Sequence, residues 1–320
     1  MRKKEMPKMK ILVTGGTGFI GTHLVQELVK NNEEVYSLER YVTARHALPK
    51  DVITFFGDLR DAFKIKEIIR KVKPDIVIHL AAISAVSYSY DHPQEVFEVN
   101  TLGTINLAES CLREVAYFRH FLFAGTSEEY GCGHNSPIPE TAELRPNSPY
   151  AVSKVAADRY LQYMSEAYDF PITILRPFNT YDRSKTGDRH FVVEKIITQM
   201  LEAKKEILLG DPSPKRGLLY VADHVSAYLT CLYNEKAIGN VFNFGQGESI
   251  SIAELANKIA DIIGWNGDII WYTIPKRPLD IDTLEADISK AKAVLGWKPK
   301  YSLENGLEKA INNWRNRLFR

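Results

Sequence analysis

The stretch KILVTGGTGFIG, residues 10–21, decides the first half of the fold. It begins as an apolar, β-rich run and passes through glycines into a helix-period segment at 18–30. Gly15, Gly18 and Gly21 form G-x-x-G-x-x-G. Glycines at this spacing let the chain turn tightly and bring backbone N–H groups against a pyrophosphate at a helix N-terminus. A glycine motif alone is weak evidence, but here a strand stands before it and a helix after it. The competing possibility is a tight turn with no ligand, and the context weighs against it.

The same alternation continues outward. Apolar runs at 34–38, 52–56, 75–80, 120–125 and 172–176 are separated by helix-period stretches at 61–72, 93–114 and 149–168. Strands alternating with helices imply an α/β fold, a doubly wound parallel sheet covered on both faces. The regularity fades after 177. Helices are expected at 190–206, at 250–264, where Ser251 and Glu254 have capping-box spacing, and at 302–318 behind Ser302 as N-cap. NVFNF (240–244) and DIIWY (268–272) read as short strands between them. These pieces form a smaller mixed α/β lobe. The expected division is 1–176, with a later return near 215–240, against a lobe drawn mainly from 177–320. Open parallel sheets bind ligands beyond the carboxyl ends of their strands, so the lobe should sit there.

Composition narrows the partners. Of 320 residues, 45% are hydrophobic and 25% charged, which supports a sizeable core. Basic and acidic residues number 41 and 40, so the net charge of +1 points to neither nucleic acid nor an anionic membrane. The basic segment 1–10 is not followed by an apolar signal region, and no apolar run approaches membrane-spanning length, so a cytoplasmic location is expected. Cys111, Cys132 and Cys231 lack metal spacing and fit reduced thiols, with no metal site.

The end of the second strand should meet an adenosine ribose, and it carries Glu39 and Arg40. A carboxylate there accepts from a 2′-OH, whereas an arginine accommodates a 2′-phosphate, so NAD or NADP remains open; the carboxylate repels a phosphate and favours NAD. Both residues are alternatively solvated charges at a strand end. Asp58, after the third strand, is placed to reach the adenine, and HLAA (79–82) ends the fourth strand with small residues. In NSPYAVSK (147–154), Ser148 is a good N-cap and Pro149 a good first helical residue. Tyr150 and Lys154 then lie one turn apart on one helix face. An ammonium near a phenol lowers the phenol's pKa, and such a tyrosine can exchange a proton near neutral pH. Taken alone, the pair is more often a surface aromatic with an ordinary helical neighbour.

Together, Gly15/Gly18/Gly21, Asp58, Asn100 in NTLGT, Thr126 ahead of YG, and Tyr150-x-x-x-Lys154 resemble the extended short-chain dehydrogenase/reductases that act on nucleotide sugars. RPFN (176–179), KRGLLYVAD (215–223), NFGQGESISIAEL (243–255) and LGWKPKYSLENGL (295–307) extend the likeness over nearly the whole chain. The resemblance implies a Rossmann fold, a tightly held nicotinamide cofactor, a nucleoside-diphosphate sugar between the lobes, and a homodimer through helices near 94–113 and 149–168. It implies further cofactor contacts from Phe19, Ile20, Leu59, Ala81, Ala82, Asn100 and Pro177, and substrate contacts from Ser84, Asn179, Arg216 and Arg277. In that family the residue at Thr126 hydrogen-bonds the sugar 4-OH, Tyr150 removes its proton, and Lys154 holds the cofactor ribose.

TSEEYG (126–131) follows the fifth strand. The family's 4,6-dehydratases and nucleotide-sugar decarboxylases resemble it, with Thr, then Asp or Ser, then Glu before YG; its simple 4-epimerases usually lack an acid at 128. The resemblance implies that Glu128 takes the C5 proton while Ser127 assists the departing 6-OH. Glu129, pointing oppositely in an extended segment, is expected to be structural or solvated. Ser127 and HFVVEKI (190–196) are most like GDP-mannose 4,6-dehydratases. A 4-epimerase, a UDP-glucuronate decarboxylase and a 4-keto-6-deoxy-sugar reductase are the alternatives. Two departures stand out: TYDRSKTGD (180–188) is not the usual family turn, and Gly217 replaces an Asp that commonly follows the arginine at 216.

Overall fold

The computed structural model describes residues 8–41, 48–202, 205–275 and 279–319. Its centre is a seven-stranded parallel sheet. The strands are β1 (Lys10–Thr14), β2 (Glu34–Glu39), β3 (Ile53–Phe56), β4 (Ile76–His79), β5 (His120–Ala124), β6 (Ile172–Pro177) and β7 (Asn240–Phe244). Their order is β7-β6-β5-β4-β1-β2-β3, so chain direction across the sheet reverses between β1 and β4. That reversal opens a crevice beyond the strand ends, where doubly wound sheets bind ligands.

The principal helices are α1 (Phe19–Lys30), α2 (Ala62–Val72), α3 (Gly103–Glu114), α4 (Pro149–Tyr168), α5 (Val192–Glu202), α6 (Val221–Leu232), α7 (Ile252–Ile263) and α8 (Leu303–Leu318). Two apolar layers sandwich the sheet. Leu24, Val25 and Leu28 of α1 and Val225 and Tyr228 of α6 pack on Ile11 and Val13 of one face. Ile65 and Ile69 of α2, Leu107 of α3 and Leu161 of α4 pack with Leu12, Val77 and Phe121 on the other. Burial on both faces explains why the central strands read as continuous apolar runs. A third core, around Ile196, Leu255, Ile259, Ile311 and Trp314, holds α5, α7 and α8 together as the smaller lobe.

Three expectations are corrected. NVFNF is not part of the smaller lobe; it is the edge strand β7, paired in parallel with β6. The return to the sheet domain runs through α6 and on into β7, to Phe244, and α6 buries its apolar face against the sheet's first layer. The helix expected over 93–114 is interrupted. Pro93–Phe97 is α-helical, Glu98–Leu102 forms a wider π-type turn, and α3 follows. The expected strand at 268–272 shortens to Asp268–Ile270, paired with Glu206–Leu208.

Candidate active site

The glycine turn lies at the sheet's switch point. Gly15 has φ +73°, a left-handed conformation that favours glycine, and its Cα side faces the Ala81 backbone. A Cβ on Gly21 would collide with the carbonyl oxygen of Gly15, so α1 can approach the turn only with glycine there. Gly18 caps α1 with no side-chain cap, leaving the first N–H groups of the helix to a ligand. Phe19 and Ile20 are half-buried at its start, and Ala81 donates its N–H to the Thr14 hydroxyl at 3.2 Å, joining the ends of β1 and β4.

Glu39 is a buried brace of this turn and not a solvated charge. Its carboxylate accepts from the Thr17 N–H at 3.2 Å, the Thr17 hydroxyl at 2.6 Å and the Ser37 hydroxyl at 2.5 Å. Arg40 pairs with Glu95 at 3.8 Å and lies over the Tyr41 ring. Asp58 is gripped by the Arg60 guanidinium, with Nη2 to Oδ2 at 2.7 Å, and that partner holds its carboxyl below the usual range. Asn100 uses its whole amide within the protein: it accepts from Ile83 N–H at 2.8 Å and donates to Ile83 O and to Ser153 Oγ. It ties the loop after β4 to α4, so its influence on the cofactor pocket is through position. Leu59 is buried, with its carbonyl held by Asn106. Ala82 and Pro177 are half-buried at strand ends, and Ser84 is exposed.

The catalytic candidates converge from β5 and α4. Residues Ser127–Glu129 form a single tight helical turn, not the extended segment expected, and the difference separates the two glutamates. Thr126 caps the turn, accepting from the Glu128 N–H, while its own N–H donates to Glu129 Oε1 at 2.9 Å. Glu129 is fully buried and pairs with the Arg176 guanidinium at 2.9 Å; Arg176 also grips Asp158 at 2.8 Å. Burial, then the Asp158 charge, push the Glu129 carboxyl up, and Arg176 opposes them. Glu129 is thus structural, but it is not solvated. Glu128 stays half-buried, and its charge, like that of Glu129, pushes the Tyr150 phenol up. Ser127, just before both glutamates, is buried.

On α4, Ser148 accepts from the Ala151 N–H at 3.1 Å as the N-cap. Tyr150 is buried and hydrogen-bonds the Thr126 side chain. Burial dominates its titration and raises the phenol above its ordinary value, opposite to the direction expected from Lys154. The reason is geometric. The Lys154 ammonium donates to the Ala124 carbonyl at 2.8 Å and lies over the Phe123 ring, and the charge that pulls the phenol down is that of Arg183. Burial lowers Lys154 itself to about 8.

Of the substrate candidates, Asn179 has a buried side-chain Nδ2 without a partner, a donor available to a ligand. Arg216 lies in a short strand whose partner residue Asp280, at 3.3 Å, supplies the carboxylate that Gly217 does not; its Nη1 also donates to the Ile281 carbonyl at 2.7 Å. Arg277 lies outside the described residues. Sequence reading missed Arg183, Glu194 and the Arg176–Asp158 pair. The unusual run TYDRSKTGD was the signal for the first of these, since a departure from pattern beside a site marks a local specialisation. Among the described residues, no group of three or more metal-ligating side chains forms.

Residues 12–310 match the family model for GDP-mannose 4,6 dehydratase. The chain is 32% identical to a putative UDP-glucose 4-epimerase of Methanocaldococcus jannaschii, over 96% of this chain and 98% of that protein. Its fold is similar to the crystal structure of a Thermotoga maritima UDP-glucose 4-epimerase with UDP-glucose, with TM-score 0.88, 31% identity, and coverage of 97% and 100% of the two chains. It is also similar to a Bacillus anthracis dTDP-glucose 4,6-dehydratase in complex with NAD, with TM-score 0.83, 25% identity and 97% coverage of both chains. A doubly wound sheet with a glycine turn at its switch point, facing a Thr-Tyr-Lys set, defines a dinucleotide-dependent class of enzyme. The chain belongs to the NAD-dependent epimerase/dehydratase family, whose members act on nucleotide sugars.

Proposed function

We propose that the protein is a nucleotide-sugar 4,6-dehydratase with a GDP-mannose-type substrate and NAD or NADP as cofactor. The observation that carries this reading is the difference between the two glutamates: Glu129 is fully buried and spent on Arg176, while Glu128 is only half-buried and its charge reaches the Tyr150 phenol. A 4-epimerase needs no second carboxyl acid or base at that place; an elimination across C5–C6 does. The match to the GDP-mannose 4,6 dehydratase model supports the substrate class.

The residues present suit a dinucleotide. The first turn of α1 is free of side-chain caps, Gly15 lies against Ala81, and Glu39 closes the ribose end of the turn. A dinucleotide held there by the glycine turn would supply a hydride acceptor for C4 and a hydride donor for C6. Thr126 orients the sugar 4-OH, and Tyr150 receives its proton. A buried phenol resists ionisation, so the cationic charge of Arg183 matters for that step. Oxidation at C4 acidifies C5–H. Glu128 removes that proton, the C6–O bond breaks, and the oxygen leaves as water after receiving a proton, with Ser127 beside it. One proton then returns to the sugar, from Glu128 to C5 as C6 is reduced; the proton that Tyr150 took from the 4-OH balances the one that left with the water.

The second reading, a 4-epimerase, is favoured by the whole-chain similarity to UDP-glucose 4-epimerases. Incubation of the purified protein with GDP-mannose, dTDP-glucose, UDP-glucose, UDP-galactose and UDP-glucuronate, with products weighed by mass spectrometry, separates them. Loss of water without net cofactor reduction establishes the dehydratase; a new isomer of equal mass establishes the epimerase; loss of carbon dioxide establishes a decarboxylase. In the dehydratase, Glu128→Gln should still oxidise C4 but lose elimination by about 10²–10⁴-fold. We also propose a homodimer through α3 and α4, supported by the exposed apolar side chains of Leu102, Val152 and Tyr163 along these helices. No helix among the described residues is long and apolar enough to cross a membrane.

A further inference from the structure

Arg183 stands where the smaller lobe reaches over the glycine turn. Its guanidinium lies between two aromatic rings, 3.4 Å from the Phe191 centroid and 4.2 Å from that of Phe19, the first residue of α1. Its Nε is buried without a hydrogen-bond partner. The nearest carboxylate, Asp188, is 3.8 Å from Nη1, beyond hydrogen-bond reach. Glu194 is closer in charge than in contact: its Oε1 accepts the backbone N–H groups of Asp182 at 2.9 Å and Arg183 at 3.1 Å. A cation that is only 15% exposed thus has one long ion pair, to Asp188, and an Nε without a hydrogen-bond partner among the described residues. Such a group is costly unless an anion completes it.

The turn that presents it is held firmly. Asp182 has φ +79°, strained for a residue with a side chain. Its carboxylate accepts from Ser184 at 2.6 Å, Asn313 at 2.8 Å and Tyr220 at 3.2 Å. Lys185 donates to Gln26 of α1 at 2.8 Å, fastening the same segment across the crevice. Backbone strain that five hydrogen bonds from distant segments maintain is the mark of an aimed side chain.

We propose that Arg183 is a phosphate receptor that closes the glycine turn from the opposite lobe, its N–H edge binding a pyrophosphate oxygen of the ligand seated at the N-terminus of α1. Planar guanidinium groups suit phosphate oxygens, and stacking between two rings fixes the orientation of the fork in advance. Contact with Phe19 favours the cofactor's pyrophosphate; the substrate's diphosphate offers the same chemistry. The inference rests on the dinucleotide and nucleotide-sugar reading of the crevice, and not on which reaction follows.

The test uses the full chain with Arg183→Gln and Arg183→Lys. NAD affinity is measured by titration calorimetry and by the amount released on denaturation. GDP and UDP affinity probe the substrate's diphosphate site, and thermal melting reports the fold. The expected result is a loss of about tenfold or more in NAD affinity for Arg183→Gln, with nucleoside-diphosphate affinity within twofold and partial recovery in Arg183→Lys. Loss of GDP or UDP affinity with NAD unchanged assigns the same receptor to the substrate. Folded variants that bind all three ligands as the parent does overturn the proposal. If Arg183→Gln does not fold, Arg183→Lys decides alone, since it keeps the charge but loses the fork: unchanged affinities overturn the receptor and weakened binding supports it. A wrong product in the substrate panel would instead overturn the dehydratase and leave these affinities as they are.

Discussion

Two turns face each other across the crevice, Gly15–Gly21 from the sheet domain and 182–188 from the smaller lobe, and they are built on opposite principles. The first works by omission. Glycine at 15 and 21 removes side chains so that backbone and helix can close together, and donors are left bare for a ligand. The second works by bracing. A non-glycine residue is held at positive φ by Ser184, Glu194, Tyr220 and Asn313, so that one long cationic side chain points inward. Omission costs little and is legible in a dozen residues. Bracing needs polar groups from the turn itself and from three other segments, and the buried ones must be satisfied.

The largest expected effect belongs to the residue between the turns. Tyr150→Phe should lower turnover by about 10²–10⁴-fold while the melting temperature changes little, because the phenol's proton is lost and its packing kept. Turnover followed by mass spectrometry checks this, and retained activity would mean that neither turn faces the reacting carbon. Next comes Gly21→Ala. A Cβ there strikes the Gly15 carbonyl, so about 1–3 kcal/mol of stability should be lost by denaturant titration, together with cofactor binding.

Asp182→Gly probes the braced turn. Glycine relieves about 1 kcal/mol of strain, but the buried Tyr220 hydroxyl loses its acceptor, at about 1–3 kcal/mol, and Asn313 loses a partner, so net destabilisation is expected. A more stable Asp182→Gly protein would break the contrast, because the turn would then be an ordinary glycine position wearing the wrong residue.

The braced turn also carries a pH dependence. Burial raises the Glu194 carboxyl from 4.5 to about 7. The folded chain therefore keeps this proton where the unfolded chain releases it, so stability falls as pH rises from about 4.5 to about 7 and is level above that. The cost at pH 8 is of the order of 3 kcal/mol. Glu194→Gln keeps an acceptor for the N–H groups of Asp182 and Arg183 and removes the ionisation. The gap between variant and parent should widen in the variant's favour from pH 5 to pH 8 in urea titrations. A constant gap would show that the carboxyl does not titrate in this window.

The parallel sheet, the glycine turn and the positions of Thr126, Tyr150 and Lys154 on their elements were legible because each depends on neighbours in sequence. Apolar runs bury on both faces, caps lie within three residues, and helical spacing is local. Glu129 was misplaced in its setting because its partner, Arg176, is 47 residues away and on another strand. The edge strand β7 was assigned to the wrong lobe because a short apolar run does not state which sheet it joins; pairing with β6 decided it. The direction of the Tyr150 shift was reversed because spacing on α4 says that Lys154 is near, while only the packed site shows its ammonium turned to Ala124 and the phenol buried.

By itself, then, the sequence determined the order of elements, the cradle at the switch point and the identity of the groups available for chemistry. All of these follow from local geometry and hydrophobic period. Tertiary structure alone decided which glutamate is buried against Arg176, which carboxylate supports Arg216, and that Arg183 is held beside Phe19 and Tyr150. Those outcomes depend on burial and on charges brought together from distant segments, whose energies exist only once the chain has closed on itself.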